Sequence, residues 1–275
     1  MTRGLRGPLF RVNVIPFLNS ERIAMSELLH PFAGKGTGQR IALLRAIREH
    51  GSISAAARQC QLSYKAAWQH IDNINNLSPQ PLVARLTGGK GGGGTRLTAL
   101  GEQLLDAWEK TGVALQAGSM QERQTLALLG RLAVRTSARN QLAGEISHIQ
   151  RGAVNDTITL RLPGGSQLQA QITRESCDEL ALHEGGHAIA LIKASWITLA
   201  LPQAAAQVAI ANRLPGKVGR ITAGLVNSEV IVTLPGGYSL CAMVDNDSLA
   251  SLAIAVDDAV CALFSSQSVI LGILD

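Results

Sequence analysis

The chain has 275 residues, with 25 Lys+Arg against 20 Asp+Glu for a net charge of +5, and only 3% of its residues are aromatic. Its four cysteines, Cys60, Cys177, Cys241 and Cys261, show no CxxC spacing, which argues against a disulfide framework or a zinc site and fits a reducing cytoplasm. No run approaches the ~20 apolar residues of a membrane helix, and the stretch 9–18 is broken by Arg11, Asn13 and Pro16 with no cleavage site after it, so a soluble cytoplasmic protein is expected.

Charge is divided along the chain: residues 1–130 carry 15 Lys+Arg against 8 Asp+Glu, and the remainder 10 against 12. A basic first half calls for a polyanionic partner. The first 35 residues hold no motif. From 39 to 50, Ile41, Leu43, Leu44 and Ile47 recur at helical spacing, and Gly51 stops the helix. Ser52 or Ser54 can cap a second helix over 53–60, whose Ala55, Ala56 and Ala57 let another helix approach closely. Ser63 then caps a third helix to about 77. Its buried face is Ile71, Ile74 and Leu77, while Lys65, Gln69 and Asn73 lie outside. Two helices joined by a short turn, the second polar on its outer face, make the helix-turn-helix pattern that enters a DNA major groove. Ser52, Ser54, Ser63, Tyr64, Lys65, Trp68 and Gln69 are the candidate DNA contacts, with Trp68 equally suited to the core.

Next, β-like runs at 81–86 and 95–98 flank the glycine-rich stretch 87–94 and form a hairpin wing, with Lys90 at its tip and Arg85 and Arg96 at its base. Glycines let backbone N–H groups approach phosphates, so Lys90 and Arg96 are candidate phosphate contacts. A nucleotide P-loop fails here, because no Gly-Lys-Ser/Thr opens a helix after a buried strand. A flexible solvated linker is the plainer alternative. Thr98 caps a long helix over 99–117, which packs either within the chain or against a second copy. Residues 1–118 are therefore expected as a DNA-binding and dimerisation domain, and 119–135 as a linker.

Residues 137–201 recur without a gap as 209–273, at a constant offset of 72: Asn140 aligns with Asn212, Gly152 with Gly224, and Leu162-Pro163-Gly164-Gly165 with Leu234-Pro235-Gly236-Gly237. Modules are expected at 136–202 and 208–275. In the first copy, β-rich runs at 145–150, 157–162, 168–173 and 188–201 are separated by turn signals, the two Pro-Gly-Gly segments being hairpin turns. That spacing suits a small five-stranded barrel of the oligonucleotide/oligosaccharide-binding class. The barrels lack an aromatic stacking face, since residues 137–273 offer only Trp196, Tyr238 and Phe264, so nucleic acid is expected on the first half alone.

His183-Glu184-Gly185-Gly186-His187 matches a zinc-protease string, yet two glycines disfavour the helix that such a site needs, and a solvated turn is expected. The informative positions are those where the copies differ in polarity. Ser137 and Arg139 align with Ala209 and Ala211, Thr173 with Asp245, and Lys193-Ala194-Ser195 with Ser265-Ser266-Gln267. A guanidinium, an ammonium and several hydroxyls suit a small dianion, which Asp245 would repel. No nucleophile-base pair or carboxylate pair appears at a catalytic spacing, so an enzyme is not expected.

Ser52-Ile53-Ser54, Ser63-Tyr64-Lys65-Ala66-Ala67-Trp68, the glycine-rich wing, Thr136-Ser137-Ala138-Arg139-Asn140-Gln141-Leu142 and Lys193-Ala194-Ser195 resemble the ModE-type molybdate-responsive transcriptional regulators. The similarity runs from about residue 40 to the end. It implies an α+β multidomain fold, with an N-terminal winged helix-turn-helix of LysR type followed by two tandem OB-like five-stranded β-barrels, the Mop modules. It also implies a homodimer that takes molybdate or tungstate as effector oxyanion at the subunit interface, binds a palindromic double-stranded DNA operator and represses molybdate uptake genes. Carried over, the molybdate ligands are Ser137 and Arg139 from one subunit and Thr173, Ser176, Lys193 and Ser195 from the other, with Ala194 on the same turn. Many members have proline where this chain has Ser195, so the resemblance does not require the Ser195 side chain, and this chain keeps at that position a backbone N–H that proline lacks. A molybdate storage or buffering protein is the alternative; it would need the duplicated half but has no use for a basic winged helix.

Overall fold

The structure is a computed structural model that describes residues 35–86, 94–110, 128, 132 and 136–273. Helices α1 (Lys35–His50), α2 (Ile53–Gln59) and α3 (Tyr64–Asn76) come in the expected order. Gly51 ends α1 at φ +62°, a left-handed conformation that glycine adopts without a Cβ clash. Of the two candidate caps for α2 the chain uses Ser52, whose Oγ accepts from Ala55 N at 3.5 Å, and Ser63 caps α3 by accepting from Ala66 N at 3.1 Å. Each cap satisfies an N–H that the first helical turn leaves without a partner.

Strands β1 (Val83–Arg85) and β2 (Thr95–Leu97) pair antiparallel, Arg85 opposite Thr95, and form the base of the wing. The loop 87–93, and Lys90 with it, lies outside the described residues. Thr98 caps α4 (Ala99–Lys110) through Gly101 N at 3.2 Å. Gly101 is needed there, because a Cβ would stand 2.3 Å from the Leu82 carbonyl oxygen. Leu43, Leu44, Ile47, Ile71, Ile74 and Leu104 fill the core of this half. The same cluster takes in Ala143 and Ile189 from the outer face of the first β module, so the two halves share apolar surface.

The first module runs β3 (Asn140–Gln150), β4 (Asn155–Arg161), β5 (Gln167–Thr173), α5 (Arg174–Glu179), β6 (His187–Ile192), a 3-10 turn (Ala194–Trp196) and β7 (Thr198–Ala200). After α6 (Pro202–Ala205) the second repeats it as β8 (Asn212–Thr222), β9 (Asn227–Thr233), β10 (Ser239–Asp245), α7 (Asn246–Leu252), β11 (Ala259–Phe264), a 3-10 turn (Ser266–Ser268) and β12 (Ile270–Gly272). Five strands per sheet are present, but the fifth is exchanged. β7 pairs with β11 of the second copy, and β12 with β6 of the first, giving the orders β12-β6-β3-β4-β5 and β10-β9-β8-β11-β7. The run expected as one strand over 188–201 is split by its 3-10 turn, and this break carries β7 across to the other sheet.

One continuous core joins the copies, from Leu142, Ile158 and Leu168 through Val230, Leu240 and Phe264. Equivalent contacts repeat across a pseudo-two-fold. Asn140 accepts from Cys241 N and donates to Cys241 O, while Asn212 accepts from Gln169 N and donates to Gln169 O, at 2.7–3.0 Å. Both amides are buried, and each satisfies a strand edge of the opposite copy. The two Pro-Gly-Gly turns also meet, since a Cβ on Gly164 would lie 2.4 Å from the Pro235 carbonyl and one on Gly236 would lie 2.4 Å from that of Pro163.

At one place the copies differ in titratable chemistry without touching the polar set noted above. Asp156 is wholly buried and accepts from Gly152 N at 3.0 Å and Arg151 at 2.7 Å, where the second copy has Ser228. The Gly152 N–H foremost, then the Arg151 guanidinium, holds this carboxyl below its usual range against the opposing effect of burial. Stability from a depressed carboxyl is complete above its unfolded pKa of about 3.9 and is lost as the pH falls through the lower folded value. Asp156→Asn is therefore expected to flatten the acid fall of the urea midpoint below about pH 5, and Ser228→Ala to leave that fall as it was. Urea titrations at stepped pH test this, and an unaltered acid limb in the Asn variant contradicts it.

Candidate functional site

The described candidate DNA contacts fall into four groups, the last being Gln69 alone at the junction with the second module. Tyr64 and Lys65 project from the first turn of α3, Ser54 is exposed on α2, and Arg96 is exposed on β2. Ser52 and Ser63 are committed as helix caps, which leaves their hydroxyl hydrogens free to donate elsewhere. Trp68 departs from its place among the contacts. It is 7% exposed and belongs to the core, with the Arg85 guanidinium 3.7 Å from its ring centroid and Tyr64 edge-on at 6.3 Å. Its position on α3, four residues before Asp72 and three before Ile71, turns it towards the apolar seam.

The polar face of α3 beyond its first turn is covered by the second module. Asp72 pairs with Arg220 at 3.2 Å, and Asn76 exchanges hydrogen bonds with the Ser239 backbone at 2.7 and 2.8 Å. The Tyr238 hydroxyl reaches the Ser78 carbonyl at 3.0 Å. Gln69 and Asn73, expected outside, line this junction together with Asp72, Arg139 and Asn140. Burial raises the Asp72 carboxyl above its usual range, against the lowering effect of Arg220. In this arrangement α3 presents Tyr64 outward, while Lys65 of the same turn reaches Glu229 of the second module and the remaining polar face lies inward.

In the duplicated half, sheet register decides which candidate ligands meet. Asn140 at the start of β3 pairs with Ile192 at the end of β6, so Arg139 and Lys193 flank one sheet end, with Ser137, Ala194 and Ser195 beside them. Thr173 pairs with Asn155 and lies beyond the opposite end of β3, where its hydroxyl accepts from Ser176 N at 3.1 Å and donates to Ser176 Oγ at 2.8 Å. Within this chain Lys193 and Ser195 therefore lie with Ser137 and Arg139 at one end of the sheet, and Thr173 and Ser176 lie at the other. The antiparallel pairing of β3 with β6 dictates this.

Each group faces the other copy. The turn carrying Ala194 packs on Ile231 and Cys241, and Arg139 reaches Glu229 at 2.8 Å. By the pseudo-two-fold, the turn at Ser266–Ser268 faces β5, where Gln267 donates to Gln171 at 3.0 Å. Lys193 stands exposed, 5.1 Å from the Trp196 ring centroid. Within one chain the cations thus oppose a strand pair bearing Glu229 and Asp245, and the Thr173–Ser176 hydroxyls oppose the neutral turn. Sequence reasoning passed over Glu229, although the repeat marked it: its counterpart is Thr157, as neutral as Ala211 is beside Arg139.

The segment 183–187 forms a turn in which Gly185 has φ +83°, and Glu184 accepts from Ile149 N at 2.9 Å. His183 and His187 therefore do not share a helix face, the geometry that a zinc pair of this motif requires. Among the described residues no helix is long and apolar enough to cross a membrane.

Comparison with known proteins divides the chain in the same way. The family described as bacterial regulatory helix-turn-helix protein, lysR family, matches residues 39–102, and the TOBE domain matches 136–199 and again 209–271. A transcriptional regulator ModE of Yersinia pestis is 41% identical over 244 residues, covering 86% of this chain and 92% of that protein. The DNA-binding transcriptional dual regulator ModE of Escherichia coli K12 is 36% identical over 245 residues, with 86% and 92% covered. A molybdenum-pterin-binding protein MopA of Rhodobacter capsulatus is 38% identical, with 91% and 97% covered. Among solved structures, the cytoplasmic molybdate-binding protein ModG with molybdate bound aligns at a TM-score of 0.49 and 34% identity, over 51% of this chain and 99% of that one.

Proposed function

We propose, from the premise that the chain belongs to the ModE family of transcriptional regulators, that it is a molybdate-sensing DNA-binding regulator whose duplicated TOBE half reports the oxyanion to its helix-turn-helix. The observation that carries this reading is the joining, in one chain, of a basic winged helix to a repeat in which only the first copy holds Arg139 and Lys193. A storage protein would not need the first half, and the helix-turn-helix match gives that alternative no support. The chain is read as a regulator and not an enzyme, working in the cytoplasm.

The ligand set divides between modules. Ser137, Arg139, Lys193 and the backbone of Ala194 and Ser195 supply the cationic side, and Thr173 and Ser176 supply hydroxyl donors to a dianion with four acceptor oxygens. Because these two groups sit at opposite ends of β3, a complete site takes one from each of two chains. A homodimer with two oxyanions follows, and a two-fold protein matches a palindromic operator. The liganded dimer is expected to repress molybdate uptake genes. Oxyanion binding can shift the balance of conformations only by its differential affinity for them.

A mobility-shift assay on the promoter of a molybdate uptake operon, with and without molybdate, tests the reading. A molybdate-dependent shift is expected, and a shift indifferent to molybdate overturns it. The wing supplies a finer test: neutralising one phosphate contact, as in Arg96→Gln, should flatten the slope of log affinity against log salt by about 0.9. An unchanged slope removes Arg96 from the interface.

A further inference from the structure

Between the two candidate sites lies one carboxylate that neither uses. Glu229, on β9, is 11% exposed and divides its two oxygens. Oε1 takes Arg139 Nη2 at 2.8 Å, and Oε2 takes Lys65 Nζ at 2.5 Å. The Cys241 thiol, at 4.0 Å, also points at Oε1, and the Asp72–Arg220 pair closes the junction beside it. A single side chain thus joins the sensor guanidinium to the first turn of α3. The repeat supplies an independent observation: the symmetry-related positions are Ala211 and Thr157, so the cation of one copy and the carboxylate of the other are both departures from a neutral pair.

We infer that Glu229 is an internal counter-anion that occupies Arg139 in the ligand-free chain, competes with the effector oxyanion, and ties Lys65 down until the oxyanion displaces it. This rests on the reading of Arg139 as an oxyanion ligand and Lys65 as a DNA contact. A dianion drawn to Arg139 meets Glu229 at contact range, where like charges in a water-poor junction repel strongly. Glu229 sits on a paired strand of the second module and Arg139 at the start of the first, and one core joins the two, so the oxyanion parts them by drawing the Arg139 side chain away from Glu229. The oxyanion then stands as a second anion beside Glu229, and their repulsion pushes the second module off α3, which takes Glu229 away from Lys65 and uncovers the polar face bearing Gln69. By linkage, whatever the oxyanion does for DNA affinity, DNA does for oxyanion affinity.

The test uses the full-length chain with Glu229→Gln, and with Glu229→Thr, which copies residue 157, as a second variant should the first fail to fold. Sodium molybdate is titrated calorimetrically, and mobility shift is measured on a DNA fragment that the wild type shifts with molybdate. The expected result is molybdate binding tighter by about tenfold, within the roughly 5- to 150-fold span of coupling factors, together with a DNA shift that no longer requires molybdate. In an Arg139→Ala background the same change should tighten molybdate binding less than it does in the wild type, because competition for the guanidinium is gone and only the like-charge repulsion remains, a coupling that a merely structural role would not predict. If the wild type binds molybdate and the folded variants bind it no more tightly, the inference is overturned alone. If the wild type binds no molybdate, the reading of the sensor fails, and this inference with it.

Discussion

Arg139→Ala is expected to weaken molybdate binding by about 2 to 5 kcal/mol, the cost of removing one partner from a desolvated charge pair. The side chain is only 20% exposed, so solvent screens it less than it would a surface arginine. A guanidinium offers two parallel donors to two oxygens of a tetrahedral anion, and no backbone group replaces that fork. Lys193→Ala should lose affinity too, with less geometric selectivity because an ammonium acts as a point charge. The repeat supplies the control. Ser265 holds in the second copy the place of Lys193, and Ser265→Ala should change little. Calorimetry showing equal losses at Lys193 and Ser265 would place the oxyanion on neither copy in particular and sink the assignment.

The second large effect concerns the pseudo-two-fold. Gly164→Ala is expected to cost about 2 to 5 kcal/mol, combining about 1 to 2 for a side chain in the left-handed region with about 1 to 3 for overpacking. At φ +86° its Cβ would lie 2.4 Å from the Pro235 carbonyl, and rigid backbone of the opposite turn cannot swing aside as a long side chain does. Gly165 has nearly the same φ, +85°, but nothing within 4 Å of its Cβ, so Gly165→Ala should show the conformational part alone, about 1 to 2 kcal/mol. Urea unfolding of the pair separates the two contributions. Equal losses would mean that the turns do not press on each other.

Local signals were readable wherever one residue type has one physical use. Ser63 and Thr98 precede apolar-periodic segments and do cap α3 and α4, and Gly51 does end α1. The constant offset located both modules and both Pro-Gly-Gly turns. The strand exchange was not legible, because β7 and β12 meet nearly identical edges in the two copies and their apolar pattern fits either. Choice between such edges lies in the path of the connection, here the turn at Ala194–Trp196, rather than in the strand's own residues. Trp68 was undecided since an indole at that helical position serves a groove or a core equally well; the approach of Arg85 from the wing decided it. Register also moved Lys193 beside Arg139, a pairing between residues more than 50 apart that no local pattern encodes. Glu229 was visible only to a comparison that looked for the missing counter-charge as well as for the cations.

The exchanged strands carry a consequence for how asymmetry arises. A single repeat standing alone would leave the β6 edge bare and β7 unpaired, and two identical chains could satisfy each other only symmetrically. Every substitution in such a pair would appear twice, so an arginine gained on one side would be gained on both. Tethering the two repeats through α6 removes that constraint while keeping the interlock intact. One half is then free to hold cations and the other a carboxylate, and a self-complementary surface becomes a donor and a gatekeeper.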